Sequence, residues 1–406
     1  MSIFQAIEKN DIEQVKQLIS KSKFPINIKN KKGETPLISA SRKLNRKIIE
    51  LLLKHPKINV NATTKDNWSA LHYLCSKEVG QNLSLIKLLL AKPEININVQ
   101  NGNGDTALHL VFDRDHYNED FTNNTFKIVE LFLFNSNLDL NLIDSYNYDT
   151  PLSKLISLYK FSEERVNLYK CIELLLSNKN LDINKKIRNK ISYFSLLVNN
   201  NYMDIAKKLL GNPELEVNGK DIEYAIQSIY SPSIELVSLL LNKTQTFSLN
   251  KYILFNLLYK KDIDMFQFFI SNPVLVNKID INNKNEYYEN AVIHLICLED
   301  YSEILKILLT IPNIDVNMKN NQGNSPLYLA CNHNRIENVR LLLAHPEIKI
   351  DFDYNHRSSY SEDSEMMILE DDDTLSSHNL KIRKLLKSHS LLHNNTLNSI
   401  LDSIKD

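Results

Sequence analysis

The sequence predicts an all-α repeat solenoid, and three observations carry that expectation. The apolar block Ile48-Ile49-Glu50-Leu51-Leu52-Leu53 recurs in degenerate form at residues 85–90, 128–133, 171–176, 236–241, 304–309 and 338–343. A second apolar anchor lies 11 residues upstream in the pairs Leu37 and Ile48, Phe194 and Ile205, Ala225 and Leu236, Leu254 and Met265, Ile293 and Ile304, and Leu327 and Asn338. Where the spacing stretches to 14, 20 and 19, after Leu71, Leu108 and Leu152, removing the surplus returns each period to 34 or 35 residues. A period in the thirties marks stacked units that bury their apolar faces only against neighbours.

The elements follow in order. The upstream anchors read Thr35-Pro36-Leu37, Ser69-Ala70-Leu71-His72, Thr106-Ala107-Leu108-His109, Thr150-Pro151-Leu152, Ala291-Val292-Ile293-His294 and Ser325-Pro326-Leu327. On these residues the chain resembles the ankyrin repeat, whose Thr-Pro-Leu-His opens a first helix and whose apolar run forms a second. The physical reading agrees. A Pro after Ser or Thr suits the first helical turn, where its missing N–H is not needed and the hydroxyl caps. The i, i+3, i+4 spacing of the second segment gives one buried stripe. Pro56, Pro93, Pro213, Pro273, Pro312 and Pro346 then stop it. Ten repeats result, keyed on Ile3, Leu37, Leu71, Leu108, Leu152, Phe194, Ala225, Leu254, Ile293 and Leu327, over residues 1–350. The resemblance implies helix-turn-helix units with β-hairpin fingers, stacked in a curve with a concave binding face.

Departures from the period are informative too. Inserts of 3, 9 and 8 residues fall between the two helices of repeats three to five. The steps Phe194 to Ala225 and Ala225 to Leu254, 31 and 29 residues, are too short for a full finger, so a bend or weak point is expected within 185–260. Residues 351–374 read as an acidic, flexible linker, with seven acids and no base between 361 and 373. Residues 375–406 carry two short amphipathic stripes, read as a capping helix pair or a docking motif.

Chemistry is sparse. The 406 residues are 43% hydrophobic, enough for a large core, and hold no apolar run of the roughly 18 residues that crosses a membrane. The start lacks the pattern of a secretory signal, so the expected location is intracellular, in cytoplasm or nucleus. Cys75, Cys297 and Cys331 share one repeat position and Cys171 opens an apolar block, as buried thiols would. The resemblance implies that His72, His109 and His294 bond neighbouring backbone and tie fingers together. No phosphate loop, nucleophile elbow or zinc-protease motif occurs, and Asn101-Gly102-Asn103-Gly104-Asp105 reads as a finger turn. The expectation is no catalytic residue, no cofactor, no metal and no enzyme.

What remains is the surface. The resemblance implies binding through the finger tips and first helices, and the variable tip residues Lys32, Glu34, Asn67, Trp68, Asn103, Asp105, Tyr146, Tyr148, Asn321 and Gln322 are the candidate partner contacts. Exposed aromatics anchor interfaces, although Trp68 is equally placed to pack on its neighbour. Asn61, Asn98, Asn141, Asn184, Asn218 and Asn317 end each Val/Ile-Asn pair, where a short amide suits a turn by bonding its own backbone. The expected function is a monomeric, non-enzymatic scaffold or adaptor for an unidentified protein. The alternative is polyanion binding, to nucleic acid or phosphoinositide, through residues 1–65, with fourteen Lys and Arg against five acids. The formal net charge of −1 for the whole chain argues against it.

Overall fold

Each of the ten anchor residues lies on the first helix of a helix pair. The computed structural model describes residues 1–76, 82–113, 123–158, 165–187, 190–227, 233–244, 247–350, 381–382, 384–386 and 388–389. They fall into two compact units, Met1–Glu216 and Val217–Asp406. In the first unit the pairs are α1 (Ile3–Glu8) with α2 (Ile12–Ile19), α3 (Pro36–Arg42) with α4 (Arg46–Leu53), and α5 (Ala70–Ser76) with α6 (Leu83–Leu90). Next come α7 (Ala107–Val111) with α8 (Asn123–Leu133), α9 (Pro151–Ser157) with α10 (Arg165–Leu176), and α11 (Tyr193–Asn199) with α12 (Met203–Leu210). The second unit holds α13 (Gly219–Gln227) with α14 (Ile234–Lys243), α15 (Ile253–Tyr259) with α16 (Ile263–Ser271), the single turn α17 (Pro273–Val276), α18 (Val292–Leu298) with α19 (Ser302–Leu308), and α20 (Pro326–Asn332) with α21 (Ile336–Leu343).

Local chemistry sets the helix starts. Thr35, Thr106, Thr150, Ser192 and Ser325 each accept from the backbone N–H three residues on, and Pro36, Pro151 and Pro326 occupy the first turn behind them. Pro273 does more than stop a helix. It ends α16, but Asn272 Oδ1 caps it from the other side, and α17 follows as an added turn. The second helices bury one stripe: Ile48, Ile49 and Leu52 on α4, Ile86 and Leu89 on α6 and Ile172 and Leu175 on α10 are fully inaccessible. Each such side chain contributes about 1.5–3 kcal/mol.

The recurring asparagines do a different job from the one their sequence suggests. Asn61 Nδ2 donates to the Glu94 carbonyl at 2.6 Å while its Oδ1 accepts from Asn96 N–H at 2.7 Å, clipping one repeat to the next. Asn98 clips Asn137 and Asp139, Asn141 clips Asn180 and Asp182, and Asn184 clips Glu214 and Glu216. In the second unit Asn282 and Asn317 repeat the arrangement. Asn218 is the exception. Its Oδ1 accepts from Lys220 N–H and its own N–H donates to Asp221, so it starts α13 instead. The division between the units falls beside this residue. Replacing Asn98 by Ala removes both clip bonds and leaves the Asn137 carbonyl to water. The expected loss is about 1–2 kcal/mol in urea unfolding of the first unit, and an unchanged midpoint would mean that the clip holds nothing.

The fingers are turns, not hairpin ladders. Among the described residues no strand forms, and only isolated bridges pair Thr63 with Ser69, Ile187 with Ile191 and Lys284 with Ala291. At three of the fingers an asparagine side chain at the base closes the tip. Asn30 Oδ1 accepts from Lys32 and Glu34, Asn101 Oδ1 from Asn103 and Asp105, and Asn320 Oδ1 from Gln322 and Asn324. Within the stretch 185–260, Ile187 N–H donates to the Ile191 carbonyl at 3.1 Å. At 217–219 and 250–253 the chain instead enters α13 and α15 directly. The extra residues of the three inserts lie between α5 and α6, α7 and α8, and α9 and α10, and residues 77–81, 114–122 and 159–164 are outside the described residues. So are the acidic run at 361–373 and most of the tail, in which Ile382 and Leu386 are buried.

Candidate interaction surface

Histidines couple one finger to the next. His72 Nδ1 accepts from Ser69 N–H at 3.1 Å, which fixes the proton on Nε2, and Nε2 donates to the Asp105 carbonyl at 3.0 Å. His109 joins Thr106 to Asp149 in the same way, and His294 joins Ala291 to Met318 and Asn324. Burial dominates their titration, holding His109 and His294 at about 4 and lowering His72 as well. The fifth repeat has Ser153 where these repeats have His. There Tyr193 of the following repeat reaches back, its hydroxyl 2.8 Å from Thr150 Oγ1.

In the first unit the second, third and fourth tips are bonded into a row. Gly102 N–H donates to the Asp66 carbonyl and Ser145 N–H to the Asn103 carbonyl, each at 2.8 Å. Two tips are one residue longer than the rest, closing from Asp144 to Asp149 and from Asn285 to Asn290. Asp144 Oδ1 accepts from Asn147 and Asp149, and Asn285 Oδ1 from Tyr288 and Asn290. Both long tips hold a tyrosine pair in water: Tyr146 and Tyr148 are 87% and 60% exposed, Tyr287 and Tyr288 87% and 57%. Sequence reasoning missed the second pair because Ala291-Val292 stands there in place of the Thr150-Pro151 that follows the first, although the anchor at Ile293 sets the same register.

The other candidate contacts divide. Lys32, Asn67, Asn103, Asn321 and Gln322 are exposed at tips. Asn321 also ties its finger to the long one, donating to the Tyr287 and Tyr288 carbonyls. Glu34 and Asp105, expected at the surface, are instead buried, at 2% and 6% exposure. Glu34 meets Arg42 Nε at 2.7 Å, and Arg42 also reaches Glu8. Asp105 shares Lys154 with Asp144 at 2.6 and 3.2 Å. Burial opposes the Asp144 charge, yet the Asn147 N–H, Lys154 and the Asp149 N–H outweigh it and hold the carboxyl below its usual range. Trp68 is half-buried, its ring 4.9 Å from Tyr73 and 5.9 Å from His72, so it packs on α5 of its own repeat.

No reactive centre accompanies this surface in the described residues. They hold no group of three or more His, Cys, Asp or Glu placed to bind a metal, and no helix long and apolar enough to cross a membrane. All four thiols are buried, and burial pushes Cys171 and Cys331 up to about 12 and Cys75 and Cys297 higher still.

Helix pairs at a 34-residue period, with fingers stitched by histidine and asparagine, define a repeat protein of the interaction-module class. A family model described as ankyrin repeats (3 copies) matches residues 3–101 and 254–355, and the chain belongs to the ankyrin repeat family. Repeats of this family are in general non-enzymatic protein-interaction modules. The chain is 39% identical over 79 residues to the SMC5-SMC6 complex localization factor protein 1 of Mus musculus, and 35% identical over 79 residues to that of Homo sapiens, each match covering 19% of this chain. A probable serine/threonine-protein kinase of Dictyostelium discoideum is 46% identical over 56 residues, 14% of this chain. The matched stretch spans 7% of the length of each of these relatives. Among solved structures, an ankyrin repeat protein aligns with 52% of this chain and 96% of its own (TM-score 0.42, 19% identity). An ankyrin repeat domain of Acinetobacter baumannii aligns with 51% of this chain and 95% of its own (TM-score 0.42, 21% identity).

Proposed function

We propose that this chain is a non-enzymatic scaffold that holds a protein partner on the finger tips of its first unit. The observation that carries the reading is the long tip at 144–149. Tyr146 and Tyr148 stand in solvent on a loop whose backbone is fixed by the buried Asp144 carboxylate. A rigid aromatic pair loses little entropy on binding and supplies the anchor that interfaces use. The relatives' names, a complex-localization factor and a kinase, belong to proteins with which this chain shares 7% of their length, so the repeats and not those activities are the common part. Polyanion binding through the basic first repeats has less support: Arg42 and Lys43 are spent on Glu8, Arg46 on Glu50, and Lys29 Nζ on the Thr63 carbonyl.

Affinity capture with the full chain tests the reading. The variant Tyr146→Ala/Tyr148→Ala is expected to lose its specific partner by at least about tenfold, as removal of an anchor pair does, while its circular dichroism stays unchanged. Retention of every partner would place the binding surface elsewhere.

A further inference from the structure

The tip row of the first unit has a one-sided charge for a geometric reason. Its carboxylates turn inward: Glu34, Asp105, Asp144 and Asp149 are 2%, 6%, 3% and 1% exposed, held by Arg42, Lys154, Ser153 and backbone N–H groups. Its lysines turn outward. Lys31, Lys32 and Lys65 are exposed, and Asp66 is the only exposed carboxylate across the tips at 31–34, 64–68, 101–105 and 144–149. Lys31 and Lys32 also line a groove of about 420 Å³ that runs from the first tip to Phe4, Glu8 and Lys9 on and beside α1, where Glu8 is held by Arg42 and Lys43. Cations on the first two tips and two bare aromatic rings on the fourth make an amphipathic strip.

We propose that this strip takes an acidic segment of a partner protein, with its carboxylates at Lys31, Lys32 and Lys65 and an apolar side chain against Tyr146 and Tyr148. The inference rests on the scaffold reading above and adds the chemistry of the partner. A few rim charges around an aromatic anchor steer and select a protein ligand. The same three lysines would neutralise too few phosphates to hold a nucleic acid at physiological salt. The tip at 285–290 supplies a built-in contrast, because Tyr287 and Tyr288 stand between the exposed Glu286 and Glu289. Its aromatic character is the same and its charge is opposite.

Fluorescence anisotropy on the full-length protein tests this with three labelled probes: an alternating Glu-Leu peptide, an alternating Lys-Leu peptide and an oligothymidylate. The Glu-Leu peptide is expected to bind best and to weaken with added salt. Lys31→Glu/Lys32→Glu/Lys65→Glu is expected to weaken it at least about tenfold and to strengthen the Lys-Leu peptide, and Tyr146→Ala/Tyr148→Ala to weaken it similarly. Tyr287→Ala/Tyr288→Ala should leave it unchanged. Tighter binding of the oligothymidylate than of the Glu-Leu peptide, or indifference of that peptide to the lysine reversals, overturns the proposal. If the lysine reversals change nothing while the Tyr146/Tyr148 variant still loses its captured partner, the acidic-segment proposal alone fails and the scaffold reading stands.

Discussion

Gly104→Ala is expected to destabilise the first unit by about 2–5 kcal/mol, whereas Gly323→Ala should cost the second only about 1–2. Both glycines sit in the left-handed region, at φ +77°, so an added side chain carries the same backbone penalty of roughly 1–2 kcal/mol at each. The surroundings differ. A Cβ on Gly104 would lie 2.6 Å from Ser145 N and 2.6 Å from Ser145 Oγ, while one on Gly323 meets nothing within 4 Å. Ser145 cannot yield cheaply, because its N–H donates to the Asn103 carbonyl and joins the third tip to the fourth. Overpacking of this kind adds about 1–3 kcal/mol. Urea unfolding of the two variants measures the difference, and equal losses would show that the tip-to-tip contact is slack.

Acidification is expected to destabilise each unit well before its carboxylates titrate out. Folded His109 and His294 hold their protons off down to about 4, whereas unfolded imidazoles take them up near 6.5. Between those values the unfolded chain binds more protons, so stability rises with pH and falls as pH drops from 6.5 towards 4. The slope is at most about 1.4 kcal/mol per pH unit for each histidine, or roughly 2–3 kcal/mol over the window. The first cause is burial, which penalises the imidazolium, and the geometry agrees with it: Nδ1 already accepts a backbone N–H, so a second proton has no place to go without breaking that bond. His109→Gln should lower stability at pH 7.5 and flatten the slope of the first unit. A variant that keeps the parent slope would move the pH response to other groups.

The fold was legible because its determinants are local. A Ser or Thr cap, a Pro behind it and an apolar stripe at helical spacing act within one repeat, so Thr35-Pro36-Leu37 and Ile48 to Leu53 announce α3 and α4 without any neighbour. The surface was less legible because it is set by side chains that pair outside the local pattern, some within a repeat and some across to the next. Glu34 and Asp105 read as tip residues, but Arg42 and Lys154, eight and forty-nine residues on, draw them inward. Asn98 reads as a turn residue, yet its partners are Asn137 and Asp139 in the next repeat. Asn218 fits the same sequence pattern and loses the clip because no finger follows it. Trp68 reads as an anchor and packs on Tyr73. Tyr146 and Tyr148 were found from their register, and Tyr287 and Tyr288, equally exposed, lay in a repeat whose signature is eroded.

Photo-cross-linking from position 146 tests the central claim most directly. A benzoylphenylalanine placed there, in full-length protein, should trap a discrete protein adduct that unlabelled parent protein competes away, while the same probe at Leu88, exposed on α6 of the same unit, should trap none. Equal adducts at both positions, or none at 146, would contradict a binding surface built on the finger tips.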